Sequence, residues 1–233
     1  MTSANAEWQS LVATARPAPA LGRHVVDYLR RMIIVGKLLP GTHLVESQLS
    51  KTFDVSRGPV RDALRQLEVE GLVESRRRGV FVIGLSPADI DELYQLREVL
   101  ESHAVQQCMS ADSADFTEIQ GVLERMSAAA AAQDAAAFAD ADLDFHTGFY
   151  KLAGNRRIDN VWQQYRPTFA DMLTVTNAED RDLTPTYRDH VELLDAIVAG
   201  EQQRALELLQ EHIAGSRTRL LTAYTRFLEQ EKT

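Results

Sequence analysis

The chain has 233 residues with 45% hydrophobic and 25% charged side chains, enough for two modest globular domains that each bury a core. A single cysteine, Cys108, excludes an internal disulfide and the multiple thiolates of a zinc finger, and suits a reducing cytoplasm. No run reaches the roughly 18 apolar residues of a membrane span, and the start, with Glu7 and Trp8, has no basic-then-apolar secretion pattern. The net charge of -9 divides unevenly: residues 20–84 hold 11 Lys and Arg against 7 Asp and Glu, Arg16 and Glu7 cancel in residues 1–19, and the remainder carries -13. A basic module beside an acidic one suits two functions in one chain, since the first attracts phosphates and the second limits indiscriminate sticking to nucleic acid.

Residues 1–19, rich in Ala, Ser and Pro without a sustained period, are read as a flexible arm. From Leu21, the apolar positions Val25, Val26, Leu29, Met32 and Ile33 keep to one helix face until Gly36 and the Pro40-Gly41 turn. Leu44, Leu49 and Phe53 suit a short second helix. Ser56 stands as N-cap of a third helix that ends at Gly71. The period then shortens to two β-like runs, Leu72 to Ser75 and Val80 to Ile83, joined by the basic tip Arg76-Arg77-Arg78-Gly79.

Ser86-Pro87-Ala88-Asp89 opens a second domain with a capping hydroxyl, a proline at the first helical position and an acid at the third. Helical patterns follow over Ile90 to Ala111, Phe116 to Ala132, Ala135 to Ala153, Ile158 to Asn177, Pro185 to Ala199 and Gln202 to Leu228. The fold class is therefore mainly α: a winged helix-turn-helix over residues 20–84 and an all-α bundle over 85–233. The runs Ala128 to Ala132 and Ala135 to Ala137 are read as close-packed helix.

On the third helix Arg57, Arg61 and Arg65 fall within about 80° of one another, while Val60, Ala63, Leu64 and Leu67 occupy a separate arc. One face docks and the other offers guanidinium forks, which can grip guanine edges or phosphates from the major groove. The hairpin tip, with Arg78, can reach the backbone or the adjacent minor groove. Two segments carry a resemblance, Leu44-Val45-Glu46-Ser47-Gln48-Leu49-Ser50-Lys51 and Val55-Ser56-Arg57-Gly58-Pro59-Val60-Arg61-Asp62-Ala63-Leu64. With Leu67-Glu68 and Glu70-Gly71-Leu72-Val73 they resemble, ungapped over about forty residues, the winged helix of the GntR family of bacterial transcription regulators. The resemblance implies that Arg57, Arg61 and Arg65 contact operator bases and phosphates and that Gly79 lets the wing approach DNA. Gly58 departs from the family, which usually has threonine there, so one hydroxyl contact to phosphate is missing.

In the second domain Asp142 and His146 project from one helix face and can bind one ion. His190 lies ten residues before Gly200 and His212 twelve after it, so antiparallel helices carry them to heights of about 15 and 18 Å from the turn. One carboxylate and three imidazoles suit a divalent transition metal, Zn, Ni, Fe or Mn, with Zn and Ni foremost. His24, His43 and His103 are read as ordinary structural or surface residues. The pattern is similar to that of FadR-like GntR regulators with an all-helical FCD domain, many of which carry an Asp and three His around a metal. Phe145-His146, Ala153-Gly154-Asn155 and Arg97-Glu98-Val99-Leu100-Glu101 look like that domain too. The resemblance implies a metal with open positions that a carboxylate effector completes.

Arg97, polar on a helix apolar at Leu93, Leu96 and Leu100, can anchor that carboxylate or pair with Glu101; Arg166 is a further candidate anchor. The expected function is a cytoplasmic, metabolite-responsive repressor, associated with the bacterial nucleoid when bound to its operator. It binds an inverted repeat as a homodimer, the dimer resting on the two-fold symmetry of such operators and on the family. A metal-dependent enzyme and a DNA-binding protein with a purely structural metal are the alternatives.

Overall fold

The computed structural model describes residues 18–111, 114–179 and 182–230 and divides between Gly84 and Leu85 into two compact units. The expected N-terminal arm lies outside the described residues except for Ala18 and Pro19, which already belong to the first helix.

Helix α1 (Ala18–Ile34) buries Val25, Val26, Leu29 and Ile33, the stripe its period predicts. Strand β1 (His43–Leu44) precedes α2 (Glu46–Thr52) and α3 (Arg57–Val69), and the hairpin is β2 (Val73–Arg76) with β3 (Gly79–Val82). Leu44 is thus not part of the second helix. The Pro40-Gly41 turn brings Gly41 N–H to the Val82 carbonyl at 2.8 Å and holds the chain extended, so that His43 and Leu44 pair with Phe81 and Val80 as an edge strand. The antiparallel sheet has the order β1-β3-β2. Ser56 occupies the N-cap of α3 in extended conformation, but its hydroxyl makes no cap hydrogen bond. At the other end Gly71, with φ +75°, closes a Schellman turn: Gly71 N–H bonds the Glu68 carbonyl and Leu72 N–H the Leu67 carbonyl.

A contact invisible to helix periodicity ties α1 to the end of α3. Arg30 is 1% exposed and grips Glu70 through two bonds, Nε to Oε2 at 2.7 Å and Nη2 to Oε1 at 2.8 Å, while its Nη1 reaches Asp27 at 2.8 Å.

The second unit is helical: α4 (Pro87–Met109), α5 (Thr117–Ala132), α6 (Ala135–Leu152), α7 (Arg156–Glu179), α8 (Thr184–Val198) and α9 (Gln202–Gln230). The Ser86–Asp89 capping box forms as predicted, with Ser86 Oγ accepting from Asp89 N–H and the Asp89 carboxylate accepting from Ser86 N–H. Helix α6 is buried on nearly every side, through Phe138, Ala141, Leu143, Phe145, Phe149 and Tyr150 among others, and forms the centre of this unit. Gly148 lets α5 approach closely, since a Cβ there would stand 2.6 Å from Ile119 Cγ1. Of the run Ala128 to Ala132 only Ala129 and Ala130 are buried, so the run is only partly close-packed; an amphipathic helix keeps one side in solvent. Among the described residues no helix is long and apolar enough to cross a membrane.

Candidate metal centre and nucleic-acid interface

Asp142 and His146 come from adjacent turns of α6, His190 from α8 and His212 from α9. All four are buried, and one ligand atom from each lies within 4.8 Å of the others. His146 Nε2 stands 3.2 Å from His212 Nε2 and 3.6 Å from Asp142 Oδ1, and His190 Nε2 is 3.5 Å from Asp142 Oδ2. The counted distances from the Gly200 turn hold: the rings of His190 and His212 have centroids 4.4 Å apart.

Neighbouring groups hold each ring nitrogen in its role. His146 Nδ1–H donates to the buried Glu101 carboxylate, and His190 Nδ1–H donates to the Thr186 carbonyl at 2.7 Å, so both Nε2 atoms turn their lone pairs inward. Burial pushes the His190 imidazole down to about 4 and, together with the neighbouring imidazoles, lowers His212 well below the ordinary histidine range. Both are therefore neutral at pH 7, the form that ligates a metal. Burial opposes ionisation of Glu101, but His146 and Arg97 outweigh it and hold the carboxyl down to about 2, an anion ready to orient the ring.

These residues fit a metal. His190 Nε2 and Asp142 Oδ1 are buried without a hydrogen-bond partner, at a cost of about 1–3 kcal/mol each if left so. Two imidazoles on one zinc, at about 2.0–2.1 Å and between right and tetrahedral angles, hold their nitrogens about 2.8–3.4 Å apart, which brackets the 3.2 Å found between His146 and His212.

Arg97 makes the ion pair with Glu101 that its sequence position allows, and part of its guanidinium is left over. Its Nε donates to Glu101 Oε2 at 3.1 Å, the pairing expected of residues four apart, yet Nη1 and Nη2 are buried with no hydrogen-bond partner. Glu101 thus links Arg97 to His146, a connection that the i,i+4 spacing offered but that needed α6 to be completed. Arg166 is not brought to this cluster. It pairs with Asp144 at 2.9 Å and donates to Thr147 Oγ1 at 3.3 Å, residues about 200° and 140° around α6 from Asp142, whereas His146 is only about 40° away. Tyr150, one turn beyond His146, escaped the sequence reading. Burial raises its hydroxyl, which therefore stays protonated, and the hydroxyl has no partner.

In the other unit Val60, Ala63, Leu64 and Leu67 are buried while Ser56, Arg57, Gly58, Arg61 and Arg65 are exposed, the division drawn from the helical wheel. Arg61 is steadied by Glu46, Nε to Oε2 at 2.8 Å, and Arg65 reaches Asp62 only at 3.8 Å. On the wing Arg76 is held by Glu74 and lies over the Phe81 ring at 5.0 Å, which leaves Arg77 and Arg78 exposed at the tip. Gly79 has a reason internal to the fold: at φ +131° its missing Cβ would stand 2.3 Å from His43 Nε2. His43 is therefore more than a surface residue, as it stacks on Phe81 at 4.6 Å and packs the wing from β1.

At Gly58 nothing lies within 4 Å of the position that a Cβ would take, so a side chain fits there without a clash. Gly58→Thr is expected to keep the fold and, by adding a hydroxyl beside the reading helix, to tighten DNA binding about fivefold. Fluorescence anisotropy on an operator fragment reads the change; equal or weaker binding would mean that no phosphate stands there.

A winged helix with outward arginines, followed by a helical unit with a buried cluster of one Asp and three His, defines the class, a DNA-binding regulator with a second, all-helical domain. Residues 21–83 match the profile of bacterial regulatory proteins of the gntR family and residues 92–215 that of the FCD domain. The chain belongs to the GntR family of transcription regulators, of the kind that carries an FCD domain. It is 30% identical over 175 residues to a gluconate operon transcriptional repressor of Bacillus licheniformis, covering 75% of this chain and 71% of that one. The corresponding Bacillus subtilis repressor is 29% identical over 191 residues, 82% and 75% of the two chains. A solved GntR transcriptional regulator from Rhodococcus sp. RHA1 is 30% identical, with a TM-score of 0.63 over 87% of this chain and 98% of that one. Fold and relatives alike are those of transcription regulators that bind DNA, not of enzymes.

Proposed function

We propose that this protein is a metabolite-responsive repressor that binds an inverted-repeat operator as a homodimer and is released by a small carboxylate captured at a metal-containing site. The observation that carries the reading is the pair of buried, unpartnered Nη atoms of Arg97 in the same unit as the Asp142, His146, His190 and His212 cluster, and joined to it through Glu101. Guanidinium N–H groups held out of water without acceptors are costly, and a carboxylate matches the two free Nη positions with parallel bonds. A divalent transition metal held by the four residues, Zn or Ni foremost, supplies a Lewis-acid anchor for the same acid. The Tyr150 hydroxyl, protonated and unpartnered, adds a donor. The relatives described as gluconate operon repressors support both the repressor role and an organic or sugar acid as the ligand class.

In this reading residues 20–84 read DNA, with Arg57, Arg61 and Arg65 on base edges and phosphates and Ser56, Gly58, Arg78 and Gly79 beside them. Residues 85–233 sense the effector and dimerise. The coupling is reciprocal: an acid that weakens operator binding is itself bound more weakly by the operator complex, by the same factor.

Arg97→Ala is expected to raise the acid concentration that releases operator DNA by about a hundredfold, the loss of a buried charge-assisted pair. Anisotropy titrations with a panel of organic and sugar acids measure it. A variant that responds at the same concentration as the parent removes Arg97 from the site and the reading with it.

A further inference from the structure

The Tyr94 hydroxyl and Ser216 Oγ lie 3.0 Å apart and join α4 to α9, with the two residues only 2% and 1% exposed. Tyr94 is one turn before Arg97 on α4, and Ser216 is one turn after His212 on α9. The pair therefore sits about 5 Å along the bundle from the arginine and the nearest metal ligand. Phe169 connects the two levels, with its ring edge-on to Tyr94 at 5.6 Å and the Arg97 guanidinium over it at 5.4 Å.

Two hydroxyls that share one hydrogen bond consume one proton and leave a second proton and several lone pairs for another partner. A bridge that only ties helices together needs one donor and one acceptor. A pair that can both give and take matches an alcohol, whose own hydroxyl does the same.

We propose that the effector is a hydroxylated acid, with its carboxylate on Arg97 and a hydroxyl further along its chain on the Tyr94–Ser216 pair. This rests on the acid reading of Arg97. An unsubstituted acid of the same length sets apolar carbon against the spare hydroxyl proton and loses that bond without replacing it.

The test is calorimetric titration of the metal-loaded full chain with paired probes, gluconate against hexanoate and xylonate against pentanoate. The parent is expected to favour the hydroxylated member of a pair at least tenfold. Hydroxyls on the metal contribute to that preference, so the deciding quantity is its change on substitution. Tyr94→Phe, which keeps the ring on Phe169, and Ser216→Ala should each narrow the preference about tenfold, with circular dichroism and metal content as controls on the fold. Folded variants that keep the parental preference would overturn the hydroxyl subsite and leave the acid reading standing. Failure of every probe to bind the parent would overturn both.

Discussion

Replacing His146 and His190 together by alanine is expected to abolish transition-metal binding, from about one ion per chain to none retained after dialysis. Structural zinc sites of this ligand count are worth about 10–16 kcal/mol, so each ligand carries roughly 3 kcal/mol, and losing two costs about 6 kcal/mol, or about ten-thousandfold in affinity. The His190 imidazole is already neutral at pH 7, so little is spent on deprotonating it before it ligates. Mass-spectrometric metal analysis of parent and variant, with far-UV circular dichroism to confirm that the helices persist, measures it. Glu101→Gln is the milder companion. It keeps the ring in place but removes the anion that makes His146 a better ligand, and should weaken metal binding about 10- to 100-fold. Equal metal content in parent and double variant would place any ion elsewhere and leave the buried cluster as a hydrogen-bonded core. A variant that loses the metal while the acids still release DNA would make the ion structural.

The second large effect is expected at Glu70. Truncation to alanine leaves the Arg30 guanidinium inside the winged helix without its bidentate partner, at a cost of about 3–5 kcal/mol. A domain holds only about 5–15 kcal/mol in all, and a unit this small sits toward the lower end, so much of the DNA-binding unit should open at ordinary temperature. Hydrogen exchange followed by mass spectrometry on peptides of α1 and α3 reports on this unit alone, and exchange there should accelerate by at least a hundredfold. The paired replacement Arg30→Met with Glu70→Leu removes both charges and should recover most of the loss, since a well-packed apolar pair commonly matches a buried ion pair. Exchange rates in Glu70→Ala within a few-fold of the parent would show that Arg30 finds water or Asp27 instead.

The local grammar of the chain was legible without coordinates because it rests on short-range physics. The stripe of α1, the capping box at Ser86, the turn at Gly71 and the division of α3 into an apolar arc and an arginine face all follow from spacing and capping chemistry within a few residues. The cluster of one Asp and three His was legible for a related reason. Asp142 and His146 share a helix face, and the distances of His190 and His212 from one turn fix their heights, so two local rules and one antiparallel packing bring the four together. What pairs across the fold was not legible. Leu44 became a strand because β3 was there to receive it. Arg30 chose Glu70 forty residues away because both are enclosed by the same core, and Gly79 is required by the ring of His43 as much as by anything outside. The sequence offers both Arg97 and Arg166 as candidate anchors, Arg97 on the stronger ground of its place on an otherwise apolar helix face. Tertiary packing separated them, enclosing Arg97 with two unpartnered nitrogens beside Glu101 and turning Arg166 to Asp144 on another side of α6, because only the assembled bundle decides which charges lose their water.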